Sequence, residues 1–169
     1  MLTQQELQTL VKNSLPEDYK FDFNLSYANN CYGVQFTKTC DNPVFPKYTV
    51  VQAVANTKDN SLKFNLELAS RDMSYTTIKH SLTVRDVKPN LTPAELQKLQ
   101  ETLQKFVFMR TMKTHEEWIK GMQEHPDWFD GTRPSDFFSG CPCWKHWPYE
   151  EAGLEDPEGP EHEPEFDDI

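Results

Sequence analysis

The stretch NLTPAELQKLQETLQKFVFMRTM, residues 90–112, decides the fold. Thr92 occupies an N-cap position, Pro93 the first helical position, and Glu95 stands three residues after the cap, which together make a capping box with a pre-set φ. Leu91 and Leu96 are placed to close over it as a hydrophobic staple. Leu96, Leu99, Leu103, Phe106 and Val107 then recur at helical spacing, while Glu95, Lys98, Gln100, Glu101, Gln104 and Lys105 take other positions, so the spacing predicts an amphipathic helix. Its single apolar stripe needs a surface to lie on, and the preceding residues supply a sheet.

Going back along the chain, Ile78, His80, Leu82 and Val84 share one parity of a strand within residues 75–84. Leu62, Phe64, Leu66 and Leu68 alternate with Lys63, Asn65 and Glu67, and the turn at residues 57–60 joins this strand to residues 48–55 as a hairpin. Residues 48–55 are apolar on both parities, which predicts a central strand covered on both faces. Pro43 and Pro46 mark a loop. Tyr32, Val34 and Phe36 pair across Ala28-Asn29-Asn30 with Tyr19, Phe21, Phe23, Leu25 and Tyr27, whose strict alternation predicts one half-buried face. Thr3 and Glu6 form another capping box, and Leu7, Leu10 and Val11 a short stripe, in a first helix that ends by Leu15 because Pro16 disfavours helical geometry before it.

The expectation is an α+β fold: an N-terminal helix, an antiparallel meander of about five strands, and a long helix packed on that sheet. Thr114 and Glu117 start a further short helix through Trp118, Ile119 and Met122, stopped by Pro126. All four tryptophans, Trp118, Trp128, Trp144 and Trp147, then fall in an irregular aromatic strap that also holds Phe129, Phe137, Phe138 and Tyr149. Such rings either staple the strap over the body or form a contact surface; Trp128, Phe129, Trp144 and Trp147 are the candidates for contact.

Charge separates a body from a tail. Residues 149–169 hold ten acidic residues and no Lys or Arg, so the other 17 acidic residues balance the 17 basic ones. The expected organisation is one α+β domain over residues 1–148 and a disordered acidic tail over 149–169, because the tail lacks the apolar content that would offset its ordering entropy. A neutral body argues against a broad phosphate-binding face; residues 19–88 carry nine basic and six acidic residues, a modest surplus. No apolar run approaches the roughly 20 residues of a membrane span and no leader stands at the start, so the expectation is a soluble, cytoplasmic protein without a membrane partner.

Familiar catalytic patterns are missing: there is no GxGxxG, P-loop, GxSxG or HExxH. His115 and Glu116 are explained by first-turn polarity. An enzyme is therefore not expected. Cys141-Pro142-Cys143 with His146 is the most chemically marked cluster; with Cys40 or Cys31 brought across the fold it has the thiolate and imidazole donors of a zinc site, though the one-residue gap between cysteines is unusual.

At the end of the chain, Glu165-Phe166-Asp167-Asp168-Ile169 sets two apolar residues among carboxylates. These five residues resemble the acidic C-terminal tips of bacterial and phage single-stranded-DNA-binding proteins, which dock replication partners; there an aromatic residue commonly stands last, and here Ile169 does. Phe166, Asp167, Asp168 and Ile169 thus join the candidate partner-binding residues. The function expected is non-enzymatic binding of another protein, as an inhibitor or accessory factor of a nucleic-acid enzyme, with the tail steering or mimicking nucleic-acid charge. The alternative is a single-stranded nucleic-acid-binding protein whose tip recruits replication or repair partners.

Overall fold

Three threonines start the three α-helices of the described residues. In the computed structural model, which describes residues 2–27, 30–41, 46–69, 77–111, 113–137 and 146–155, each expected capping box is formed. The hydroxyls of Thr3, Thr92 and Thr114 accept the N–H of Glu6, Glu95 and Glu117, and each glutamate accepts the threonine N–H in return. They begin α1 (Gln4–Ser14), α2 (Pro93–Arg110) and α3 (His115–Glu124). The Glu95 carboxyl is held down to about 2, first by the Thr92 N–H and then by Lys88, whose Nζ lies 2.9 Å away.

Between α1 and α2 run β1 (Lys20–Ser26), β2 (Cys31–Thr39), β3 (Tyr48–Asn56), β4 (Ser61–Ala69) and β5 (Thr77–Val84). They pair antiparallel in sequence order, a five-stranded meander with β3 at its centre. The chain divides into two compact units, Met1–Thr111 and Met112–Ile169, and the sheet, α1 and α2 make the first.

Period-two alternation decides which sheet face is dry. Val34 and Phe36 of β2, Val51, Ala53 and Ala55 of β3, and Leu62, Phe64, Leu66 and Leu68 of β4 are buried in one cluster. Leu7, Leu10 and Val11 of α1 and Leu99, Leu103, Phe106 and Val107 of α2 enter the same cluster, so both helices serve one face. Leu2 belongs to this core with Leu7, and Leu91 and Leu96, the expected staple pair, are partly buried and pack against it. On the opposite face Val50, Gln52 and Val54 of β3 are only half-buried. The expected double cover of β3 is therefore half right: its position is central, but α1 and α2 both lie on the other side.

β1 departs from its expected single half-buried face, and Asp22 is the reason. Phe21 pairs with Phe36 but Phe23 pairs with Gln35, so one extra residue enters β1 as a bulge. The Asp22 carboxylate accepts hydrogen bonds from Gln35 Nε2 at 2.9 Å and Thr37 Oγ1 at 3.0 Å, which fixes the kink. Phe21 stays on the helix side, edge-on to Phe36 with ring centroids 5.6 Å apart. Phe23, Leu25 and Tyr27 are turned to the sheet face that bears neither α1 nor α2, the helix-free face of this unit. Leu25 there pairs with Gly33, where a Cβ would stand 2.1 Å from the Ala53 carbonyl oxygen, so no other residue fits β2 at this point.

The second unit holds α3, 3-10 turns at Pro126–Trp128 and Pro134–Asp136, and residues 146–155. Packed chain continues past residue 148, where the tail was expected to begin: Tyr149 and Ala152 are buried, Gln123 Nε2 donates to the Ala152 carbonyl at 3.0 Å, and Glu151 lies 2.6 Å from His115 Nε2. The rest of the expected tail, residues 156–169, lies outside the described residues.

Leu103 is completely buried in mid-stripe, and Lys105, two positions on, is exposed; Gln104 between them is half-buried. Leu103→Ala should therefore cost about 2–5 kcal/mol of unfolding free energy and Lys105→Ala under about 0.5 kcal/mol. Urea denaturation of the two variants measures this, and equal midpoints would contradict the seating of α2.

Candidate functional site

Residues nominated from sequence fall into three groups. Trp128, Phe129 and Trp147 are buried in the second unit, at 8%, 0% and 3% exposure. Their rings pack on one another and on α3: Trp147 lies edge-on to Phe129 at 4.9 Å and tilted against Trp118 at 5.3 Å, and Trp128 stacks on His125 at 3.8 Å. Trp147 Nε1 donates to Thr132 Oγ1, which donates to the Phe129 carbonyl, so the indole N–H is satisfied inside the cluster. These three side chains form the interior of the second unit as the structure describes it. Trp144, Phe166, Asp167, Asp168 and Ile169 lie outside the described residues.

Of the zinc candidates, Cys141 and Cys143 also lie outside the described residues, His146 is half-buried in the second unit, and Cys40 follows β2 in the first. Cys31, the alternate to Cys40, opens β2 at its other end, roughly 30 Å away for a fully extended strand, so the two cannot serve one ion together. Among the described residues no three His, Cys, Asp or Glu side chains converge as a metal site.

The structure instead draws attention to the helix-free face of the sheet. Because opposed residues on paired strands share a face, Gln35, Gln52, Asn65 and Ser81 form one straight row across β2, β3, β4 and β5. Gln52 Nε2 donates to Gln35 Oε1 at 2.7 Å, and Asn65 Nδ2 donates to Gln52 Oε1 at 3.4 Å. With Gln35 Nε2 donating to Asp22, the row becomes a hydrogen-bonded ladder spanning four strands.

A carboxylate can only accept, and that sets the direction of every amide in the row. Asp22 requires the Gln35 nitrogen to face it, which leaves the Gln35 oxygen for Gln52, and so on to Asn65. Toward β4 and β5 the ladder opens into a depression of about 330 Å³ lined by Gln52, Lys63, Asn65, Glu67, Lys79 and Ser81, among others.

At the β1 edge the same face is apolar. Phe23 is 46% exposed and Tyr27 54% exposed, with half-buried Leu25 between them. The helix-free face therefore has an aromatic ridge at one end, an amide ladder across its middle, and a polar depression at the other.

Periodicity reading missed this face because it treats the second parity of a strand as solvent-facing polarity. Gln35, Gln52 and Asn65 are at known strand positions, but only the register shows that they are in line. No known protein family, curated protein or solved structure matches this chain.

His80, a strand histidine to which the sequence assigns no role, lies opposite Leu66 on the helix side of β5 and is half-buried. Burial, and then the charge of Arg110, lower its pKa below the ordinary 6.5. Near that pH the unfolded chain binds the proton more readily, so the stability held by neutral His80 is full above 6.5 and is lost as pH falls through the folded value. Urea midpoints taken from about pH 7.5 to about pH 5.5 should fall less in His80→Gln than in the native chain. Parallel curves would show that His80 titrates alike folded and unfolded.

Proposed function

We propose that this chain is a binding module that engages another protein through the β1 edge of its sheet. The observation that carries this reading is the bulge at Asp22, which takes Phe23, Leu25 and Tyr27 away from the core side and lines them along an outer strand with both rings about half exposed. Burying such rings against a partner removes roughly 150–250 Å² each from water, the kind of anchor on which protein interfaces depend. The same bulge interrupts the edge, so recognition proceeds through side chains rather than by adding a strand.

An inhibitor or accessory factor of a nucleic-acid enzyme fits this profile. Its partner would carry a basic, nucleic-acid-binding surface, and the ten acidic residues of 149–169 would steer the encounter or stand in for phosphates. Direct binding of single-stranded nucleic acid is less well supported. Phe23 and Tyr48 are exposed on the helix-free face, but its centre carries amides tied to one another where stacking rings would be needed.

Affinity capture from the source cell with the full chain and with Phe23→Ser/Tyr27→Ser tests the proposal. The native chain should retain a protein that the double variant loses, while both unfold cooperatively at similar temperatures because the two rings are about half exposed and lie outside the core. Identical captured sets would contradict the β1 contact. Retardation of a single-stranded oligonucleotide at moderate salt would favour the nucleic-acid alternative.

A further inference from the structure

We propose that the depression at the β4–β5 end of the helix-free face is a seat for the phosphate group of a small, hydroxylated phosphate monoester. Asn65 and Ser81 are directly opposed and form its floor. Lys63 lies two residues before Asn65 on β4, and Lys79 two residues before Ser81 on β5. Because the strands are antiparallel, the two lysines flank the floor from opposite sides, each about 7 Å along its strand. Both are exposed, and neither makes an ion pair with a described residue. Their flexible stems allow both ammonium groups to lean over the Asn65–Ser81 pair.

The donor count favours phosphate over carboxylate. The ladder aims the Gln52 nitrogen at Gln35 and the Asn65 nitrogen at Gln52, away from β5, so the donors at the seat are the Ser81 hydroxyl and the two ammonium groups. Two ammonium groups, with three N–H each, and a hydroxyl exceed what a carboxylate, with one charge and two oxygens, can use. A phosphate monoester brings a charge of about −1.5 to −2 and three strongly accepting oxygens.

Glu67, opposite Lys79, also lines the depression. A carboxylate there disfavours a bare anion but accepts a hydrogen bond from a hydroxyl, so the organic part of the ligand should carry one near its phosphate. The seat is made by β3, β4 and β5 and does not depend on the protein contact proposed at β1.

Ribose 5-phosphate is a suitable probe for the full chain, followed through the side-chain amide NMR signals of Gln52 and Asn65, with ribose, inorganic phosphate and matched sodium chloride alongside. The ester should move both signals to saturation and bind more tightly than inorganic phosphate, and ribose should move neither. Lys63→Gln/Lys79→Gln should weaken the ester by about tenfold or more, the scale of a lost charge-assisted hydrogen bond. Ser81→Asp, which puts a carboxylate on the floor, should abolish binding. All these positions are exposed, so melting temperatures should hold and report folded protein. The proposal is overturned if sodium chloride reproduces the shifts, if inorganic phosphate binds as tightly as the ester, or if both variants bind like the native chain.

Discussion

Phe64 is completely buried on β4, between Ala53 of β3 and Leu82 of β5, and the row continues through Ala53 to Val34 of β2. Burying one such ring stabilises the fold by up to about 3 kcal/mol, and neighbouring rows repeat the contribution. The gain exists only in this register. Sliding any inner strand by one residue would turn its apolar set to the helix-free face and bring its polar set under α1 and α2. The paired strands, helix stripes and staples all depend on keeping that one face dry, and the bulge is tolerated because it sits in β1, outside the dense rows of β2, β3 and β4.

Relieved of core packing, the other face can hold polar groups in a fixed order. Asp22 acts there twice: its carboxylate stabilises the bulge that exposes Phe23 and Tyr27, and it sets the direction of the amide row leading to Asn65. Hydrogen bonds in such a chain polarise one another, so amides far from the edge are oriented by a charge they do not touch. An isolated glutamine on a sheet surface would rotate freely; Gln52 is held by neighbours on two strands.

Local chemistry was legible in this sequence wherever a signal is carried by residues close in the chain. The three capping boxes need only a threonine and a glutamate three positions apart, and α1 ends where Pro16 requires. Leu99, Leu103, Phe106 and Val107 are buried as their spacing implies. The bulge was not legible because Phe21, Phe23, Leu25 and Tyr27 alternate without interruption, and the slip between Phe21 and Phe23 exists only relative to β2. Direction in the ladder was hidden for a related reason, since Gln35, Gln52 and Asn65 are separated by loops whose lengths do not announce the register. The aromatic strap was identifiable as a cluster. Whether its rings face inward depended on contacts such as Trp147 with Thr132, fifteen residues apart.

The ridge and the depression are separated by strands rather than by loops, and this bears on how both could be used. From β1 to β4 is three strand spacings, about 14 Å, spanned by side chains already bonded to one another. A protein resting on Phe23, Leu25 and Tyr27 need not cover Lys63, Lys79 and Ser81, so a small phosphate ester and a protein could occupy the face together. Any influence of one on the other would have to pass along the ladder. Because the order of donors and acceptors in that row begins at Asp22, beneath the ridge, a partner that engages the Asp22 carboxylate competes with Gln35 for it and loosens the row from the β1 end. The two ends of the face are thus joined by a polar connection whose direction is fixed by one charge.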